Sequence, residues 1–268
     1  MAVTATIPRE EVDGYINAVV GSDSLDEALA RFGSIVPSGD LVANVEFARM
    51  QMQEYPLRFF ATGLRTGPEN SLIRKLSTPD EHQAQAVVDS EQMIIALFGL
   101  LAVDMLDAMR TAYGPIANRA DWFASDLIDA HVVARVAVAL ERYEAGDFDS
   151  AVSILAPRME RVVRRMAAAV GLVVTRLPRA NGQPGGAKGL GEILAAMKGH
   201  LPIDSYRYLW TLLCEPTAQN LRNRAGHGLA DVFSQVEAAL LIQSLCHVRV
   251  LHVASSPSAA SPKSPREP

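Results

Sequence analysis

Residues Val138–Leu155, which read VALERYEAGDFDSAVSIL, indicate the fold class of this chain. Good helix formers continue on both sides of the Gly146-Asp147 pair, over about Asp126–Ala145 and Phe148–Val170. Glycine commonly ends a helix, and aspartate is a preferred N-cap that begins the next one. Two long helices joined by a two-residue turn pack as antiparallel neighbours. This stretch therefore predicts a helical bundle.

Helix signals of the same kind recur along the rest of the chain. Thr78, Pro79 and Glu81 form a capping-box pattern with proline at the first helical position, and good helix formers follow to about Ala112. The other predicted elements are helices over Val45–Leu64 with a kink or break at Pro56, Glu192–Lys198, Ser205–Leu213 and Leu229–Val253, and a short strand at Leu172–Leu177.

These signals predict an all-α protein with three segments. We expect an N-terminal helical region of unknown role over residues 1–120, a compact helical domain over residues 121–254, and a disordered tail over residues 255–268 that has too little apolar content to fold. The longest apolar run, Met93–Val103, is shorter than the roughly 20 residues that span a bilayer. Since the N-terminus also lacks a secretory signal pattern, we expect a cytoplasmic protein that does not enter the membrane.

The charges are unevenly distributed between the two halves of the chain. Residues 1–130 carry 9 Lys/Arg and 19 Asp/Glu, whereas residues 131–268 carry 16 and 11. A basic half on an acidic protein indicates that an anion is bound there.

No ligand pattern for a metal or a cofactor is visible in the sequence. Cys214 and Cys246 form no CxxC pair, and Asp104 and Asp107 share a helix face without a third ligand nearby. The loop GQPGGAKGLG lacks the glycine-lysine-Ser/Thr order of a phosphate-binding loop. We therefore expect neither a metal nor a cofactor.

The segment Asn220–Leu229, NLRNRAGHGL, carries the strongest functional signal. Arg222, Asn223 and His227 form an R-N-x-x-x-H pattern, and the asparagine makes it more specific than arginine and histidine alone. Cleavage of RNA by its own 2′-hydroxyl needs a proton acceptor that titrates near neutral pH, which histidine provides. It also needs positive charge for the phosphorane, and a guanidinium matches two phosphate oxygens at once.

This segment resembles the HEPN superfamily of helical-bundle domains, whose catalytic signature is R-x4-H. The stretch LLCEPTAQNLRNRAGHGL is similar to the "NLRN…HG" segment of bacterial HEPN-like families, and SAVSILAPRMERVVRRM is similar to the helix that precedes it there. The likeness covers about residues 121–254. It implies a metal-independent endoribonuclease in which His227 is the base or general acid, Arg222 stabilises the transition state and Asn223 orients the phosphate or ribose.

The resemblance also implies partners and roles. RNA is the expected partner, the expected assembly is a homodimer in which two motifs share one cleft, and a phage-defence, toxin or stress effector with an antitoxin or regulatory protein is the expected context. Two alternatives stay open. One is a catalytically inactive HEPN-like module that binds nucleic acid or protein, and the other is a structural helical protein whose acidic half masks its basic half.

Several further residues are candidates for supporting roles. By resemblance, Glu160 holds Arg222 through an ion pair, and Arg224 lies within the motif itself. A basic stripe follows one helix at three- and four-residue spacing, and it fits either an RNA-phosphate track or a solvated face paired with acids: Arg158, Arg161, Arg164 and Arg165.

Geometry adds two expectations. On an unbroken helix, residues five apart lie about 140° apart with an axial offset of about 7.5 Å, so either the chain turns near Gly226 or the length of Arg222 closes the gap to His227. Arg222, Asn223 and His227 could instead serve only to satisfy helix ends. The last helix carries apolar residues that we expect at the dimer interface: Leu240, Leu241, Leu245 and Val248.

Overall fold

The computed structural model describes residues 8–57, 61–66, 72–178, 185–230 and 232–251, and its fold is all-α, as predicted. The α-helices are α1 (Arg9–Val20), α2 (Leu25–Ser34), α3 (Leu41–Glu54), α4 (Pro79–Tyr113), α5 (Ala130–Glu144), α6 (Phe148–Ala169), α7 (Leu190–Ala196), α8 (Ile203–Leu213), α9 (Leu221–His227) and α10 (Gln235–Val250). Short 3₁₀ helices span Ile116–Phe123 and Met197–Gly199. The tail expected over residues 255–268 lies outside the described residues.

Two short antiparallel hairpins accompany the helices. Strand β1 (Gly63–Thr66) pairs with β2 (Leu72–Leu76), and β3 (Thr175–Arg176) pairs with β4 (Gly186–Ala187). The short strand predicted at Leu172–Leu177 thus corresponds to β3.

The predicted pair of helices on either side of Gly146-Asp147 is present as α5 and α6. Gly146 adopts φ 80°, a conformation that glycine tolerates best, and the Asp147 carboxylate accepts a hydrogen bond from Ser150 N at 3.1 Å. Helix α5 begins at Ala130 rather than at Asp126, because the Asp129 carboxylate accepts from Val132 N at 3.0 Å and caps the helix there.

Helix α4 begins with the predicted capping box. The Thr78 hydroxyl accepts from Glu81 N, and Glu81 accepts in return from Thr78 N at 3.0 Å. Within the described residues, α4 is the helix whose length and apolar composition would allow it to cross a membrane, and less than half of its most apolar window is buried. The buried residues of that window, such as Ile95 and Ala102, belong to the core of the protein.

The predicted helix over Val45–Leu64 is interrupted next to Pro56, as predicted, but its predicted continuation to Leu64 is wrong. Helix α3 begins earlier, at Leu41, and ends at Glu54 just before Pro56, and the chain from Gly63 is the strand β1. Proline removes a helical hydrogen bond, and the backbone groups of β1 pair with those of β2 instead.

The last helix also begins later than predicted. Gly228 adopts φ 63° and ends α9, and the described residues between it and Ser234 form no regular structure. The Ser234 side chain caps α10 in a capping box with Glu237. The predicted start at Leu229 is therefore wrong, because two local helix-ending and helix-starting signals outweigh the apolar pattern there.

Helix α10 forms the centre of the molecule and contacts α2, α4 and α6. The four residues that we expected at a dimer interface, Leu240, Leu241, Leu245 and Val248, are all buried inside this one chain. That expectation is wrong, because α2 and α4 cover the face of α10 that α6 leaves open. Residues on both sides of position 120 contribute to this continuous core.

Close backbone contact brings α2 against α10. A Cβ atom at Gly33 would lie only 2.5 Å from the carbonyl oxygen of Cys246, so glycine is required for this distance. Buried polar groups reinforce the contact, since Gln243 Nε2 donates to Ile35 O at 2.9 Å and the Tyr208 hydroxyl donates to Gln243 Oε1 at 2.6 Å.

His247 on α10 is a buried titratable group in this core. Its Nδ1 donates to Gly33 O at 2.8 Å, and its Nε2 has no hydrogen-bond partner among the described residues. Burial lowers the pKa of His247 below its ordinary value, so the folded protein keeps this imidazole neutral where the unfolded chain already binds a proton.

We therefore expect acid to destabilise the fold through His247. As the pH falls below about 6.5, the unfolded chain takes up the proton first, and the free energy of unfolding decreases until the lower folded-state pKa is reached. Urea unfolding between pH 7.5 and 5.5 should show this decrease, and His247→Gln, which cannot titrate but can still donate to Gly33 O, should reduce it. His200→Gln serves as the control and should leave the decrease in place. An unchanged pH dependence in His247→Gln would contradict the assignment.

Candidate functional site

The candidate site lies on α9, a single short helix held between two left-handed residues. Asn220 precedes it at φ 49°, a conformation that asparagine tolerates, and Gly228 follows it at φ 63°. Leu221 is fully buried and anchors the helix to the core. The helix continues through Gly226 and ends at Gly228, so the first of the two alternatives, a turn near Gly226, is not what the structure shows.

The expected ion pair between Arg222 and Glu160 is present and joins α9 to α6. Arg222 Nε and Nη2 both lie 2.7 Å from Glu160 Oε2, and the two side chains are about a quarter or less exposed. The other oxygen, Oε1, accepts from Arg164 Nη2 at 2.8 Å. A single carboxylate thus holds two guanidinium groups, and this cluster keeps a net positive charge.

Asn223 completes the polar surroundings of Arg222. Its Oδ1 accepts from Arg222 Nη1 at 3.2 Å, and its Nδ2 donates to Asn220 Oδ1 at 2.8 Å. The asparagine therefore orients the guanidinium and also stabilises the start of α9.

The Arg222 side chain reaches toward the end of α9 that carries His227. Its Nη1 lies 3.6 Å from the position that a Cβ atom would occupy on Gly226. Gly226 has no side chain that could cover this edge of the guanidinium, so the contact that α9 makes with Nη1 is the one from Asn223.

His227 occupies a different environment from Arg222. Its side chain is exposed, and it forms no hydrogen bond or ion pair within the part of the chain that the structure describes. The helical spacing places the two residues about 140° apart around α9, with Arg222 directed to α6 and His227 to solvent. One chain therefore does not bring both groups into a single closed cleft.

Arg224 contributes to the packing of α9 rather than to an open surface. Its Nη1 lies 2.6 Å from Glu237 Oε1 on α10, and its guanidinium stands 5.4 Å from the centre of the Phe233 ring. These contacts occupy the side chain that the sequence placed among the RNA-binding candidates.

The basic stripe of α6 is mostly paired with acids. Arg161 and Arg165 both bind Asp129 Oδ2, at 2.7 and 2.6 Å, and Arg164 binds Glu160. Arg158 alone of the four forms no ion pair or hydrogen bond with a described residue. Three of the four side chains therefore fit the interpretation of this stripe as a face paired with acids rather than as an RNA-phosphate track.

The structure adds a residue that the sequence did not single out. Glu215 is almost fully buried just before α9, where its Oε1 accepts from the Thr217 hydroxyl at 2.7 Å and binds Arg74 of β2 at 3.0 Å. Its Oε2 accepts from Trp210 Nε1 at 3.1 Å. Glu215 therefore fixes the path of the chain into α9, and its only sequence signal is an acid that directly follows an apolar helix.

The two cysteines lie in the interior as free thiols. Burial raises the pKa of Cys214 to about 12 and raises that of Cys246 as well, so neither is a reactive thiolate at neutral pH. Among the residues that the structure describes, no three or more histidine, cysteine, aspartate or glutamate side chains are grouped to hold a metal ion.

Comparison of the whole chain with protein-family models, with curated proteins and with solved structures finds no match. The resemblance to the HEPN superfamily accordingly rests on the residues quoted from this sequence.

Proposed function

We propose that this chain is a metal-independent endoribonuclease of HEPN type that acts in the cytoplasm as a two-fold dimer. The observation that carries the proposal is the state of His227, an exposed imidazole without a partner in the described structure, at the end of the helix that also holds Arg222. A proton-transfer group must be accessible to its substrate, and this one is.

In the proposed reaction, the imidazole of His227 accepts the proton of a ribose 2′-hydroxyl. The 2′-oxygen attacks the adjacent phosphorus, and the bond to the 5′-oxygen of the next nucleotide breaks as that oxygen takes a proton from water, after which the His227 imidazolium releases its proton to solvent. The guanidinium of Arg222 stabilises the negative charge of the phosphorane. Glu160 and Asn223 position that guanidinium.

The requirement for two chains follows from the separation of Arg222 and His227 around α9. One protomer directs Arg222 and His227 to different environments. We therefore propose that the His227 of each protomer lies near the Arg222 of the other. A phage-defence, toxin or stress effector controlled by an antitoxin or regulatory protein is the context that we propose from the resemblance.

The chemistry is tested by incubating the purified chain with a labelled single-stranded RNA in EDTA. We propose that cleavage persists and that the products end in a 2′,3′-cyclic phosphate, because the 2′-hydroxyl is the nucleophile. A DNA of the same sequence lacks this nucleophile and should bind without being cut. Cleavage that EDTA removes, or products without a cyclic phosphate, would contradict this mechanism.

A catalytically silent HEPN-like module for binding nucleic acid or protein is the second candidate. It is favoured by the double contact of Glu160 with Nε and Nη2 of Arg222, which leaves fewer donors of that guanidinium for a phosphate. RNA that binds this chain and stays intact under all conditions tested would support this candidate over the first.

We expect the segment that follows His227 to take part in the proposed dimer contact. Leu229 and Val232 are large apolar side chains that are 49% and 69% exposed, and we expect a two-fold contact to cover them. Multi-angle light scattering should give a dimer at micromolar concentration, and Leu229→Glu should shift it to monomer because a charge would be buried. Leu177→Glu, at a position that is 82% exposed on another loop, is the matched control and should remain dimeric. A monomeric unmodified chain would contradict the composite site.

A further inference from the structure

A groove of about 590 Å³ lies between α5 and α6, on a part of the surface that the proposed reaction does not use. Its apolar lining includes Val132, Val138 and Pro157. At 100° per residue, Arg158 on the groove side of α6 lies about 160° around the helix from Glu160, which holds Arg222. The groove is therefore separate from the candidate site on α9.

The polar lining of the groove is entirely basic. Three guanidinium groups, those of Arg135, Arg158 and Arg161, and the imidazole of His131 line it, and no acidic side chain does so among the described residues. Arg135 lies on α5, whereas Arg158 and Arg161 lie on α6, so the charges face one another across the groove.

Two of these arginines lack the partners that arginines have elsewhere in this protein. Most arginines in the described part of the chain bind a carboxylate, as Arg222 binds Glu160 and Arg207 binds Glu91. Arg135 and Arg158 form neither an ion pair nor a hydrogen bond with any described residue. Their donors are available to a ligand.

The third arginine is held at the edge of the groove by the cap of α5. Arg161 binds Asp129 Oδ2 at 2.7 Å and remains 55% exposed. The hydrogen bond from Val132 N, together with that from Arg161, lowers the pKa of Asp129 to about 2, so this carboxylate stays charged at neutral pH. Asp129 forms an ion pair with Arg161, but no ion pair with a described residue neutralises the charge of Arg135 or Arg158. The groove therefore has a net positive charge.

We propose that this groove is a binding site for a small organic phosphate of the nucleoside diphosphate class. Guanidinium groups on opposite walls would bind the phosphate oxygens through paired N–H donors, and the aliphatic lining would contact the organic part. The volume of the groove falls within the range of small-molecule sites, about 300 to 1,000 Å³.

The size of the groove favours a small ligand over an RNA strand. Its lining on α5 extends from His131 to Val138, which corresponds to about 10 Å along the helix axis. The next basic residues along the α6 stripe are both occupied, since Arg164 binds Glu160 and Arg165 binds Asp129 and Asp126 O, so the free cations do not continue as a track. A diphosphate needs only the two free arginines, whereas a longer chain of phosphates would find no further free partners on this face of α6.

The test is calorimetric titration of the full-length chain with ADP, in buffer without divalent cations. The loss of one charge-assisted hydrogen-bonding group should weaken ADP binding about 10- to 100-fold in Arg158→Gln, and similarly in Arg135→Gln. Arg49→Gln is the matched control, since Arg49 on α3 is an exposed arginine that also forms no hydrogen bond or ion pair with a described residue, and this variant should bind ADP like the unmodified chain.

Further ligands separate the sources of the phosphate. Adenosine, which lacks phosphate, should not bind. Pyrophosphate that binds as tightly as ADP would identify free diphosphate as the recognised group, and weaker binding would show that the organic part contributes; both results support the site.

Three results would overturn the proposal: no binding of ADP or pyrophosphate at millimolar concentration, an equal loss of affinity in Arg49→Gln, or a loss of RNA binding in Arg158→Gln without any effect on ADP. Because the readout is ligand binding rather than cleavage, these results are distinct from a failure of the ribonuclease proposal.

Discussion

His227→Ala is expected to lower the rate of RNA cleavage by about 10²- to 10⁴-fold, the usual contribution of a general acid–base group. Folding should be unaffected, because the imidazole is exposed and forms no hydrogen bond or ion pair with a described residue. Initial rates on a labelled RNA under single-turnover conditions measure the effect, and circular dichroism with a thermal melt verifies the fold. His200→Ala is the control and should cleave at the unmodified rate.

Variants at Arg222 extend this test to the transition state. Arg222→Ala should reduce cleavage by a comparable factor, while Glu160 retains its pair with Arg164 on the same helix and is not left without a partner. Arg222→Lys should not restore full activity, because an ammonium cannot make the two parallel contacts of a guanidinium. Activity that survives in His227→Ala would remove this residue from the mechanism.

Glu91→Ala is expected to destabilise the fold by about 3–5 kcal/mol, the cost of leaving one member of a buried ion pair without its partner. Glu91 on α4 is fully buried, and its two oxygens accept from Arg207 Nε and Nη2 of α8, each at 2.6 Å. The Thr211 hydroxyl donates to the same carboxylate at 2.8 Å. The loss should therefore loosen the contact between α4 and α8.

Urea unfolding followed by circular dichroism measures this effect as a decrease in the denaturation midpoint. Asp104→Ala is the matched control, since Asp104 is an exposed acid on the same helix without an ion pair to a described residue, and it should leave the midpoint unchanged. The double variant Glu91→Leu/Arg207→Leu should recover part of the loss, because it removes both charges together. A Glu91→Ala protein as stable as the control would contradict the role assigned to this pair.

Features that depend on a few neighbouring residues were predictable from the sequence. Thr78 with Glu81 begins α4, Asp147 begins α6, and Gly146 separates α5 from α6, because each cap or turn is completed by backbone groups within four residues. The same local signals, at Gly228 and at Ser234, explain why the predicted start of the last helix was wrong.

The candidate site was predictable only in part. The R-N-x-x-x-H pattern located α9, and the resemblance suggested that Glu160 holds Arg222, which the structure bears out as an ion pair across 62 positions of the chain. The resemblance did not indicate that Glu160 also binds Arg164, nor that Arg224 is occupied by Glu237. Which of several acids an arginine binds depends on distances that the spacing of residues along the chain does not contain.

The sequence by itself determined the all-α class, the starts of α4 and α6 and the position of the motif, because hydrogen bonds between near neighbours control them. Only the tertiary structure decided that Leu240 and its neighbours on α10 are buried by α2 and α4, and that Arg222 turns to α6 while His227 faces solvent. An apolar face is equally suited to the core or to a partner, and only the packing of helices distant in sequence removes it from water.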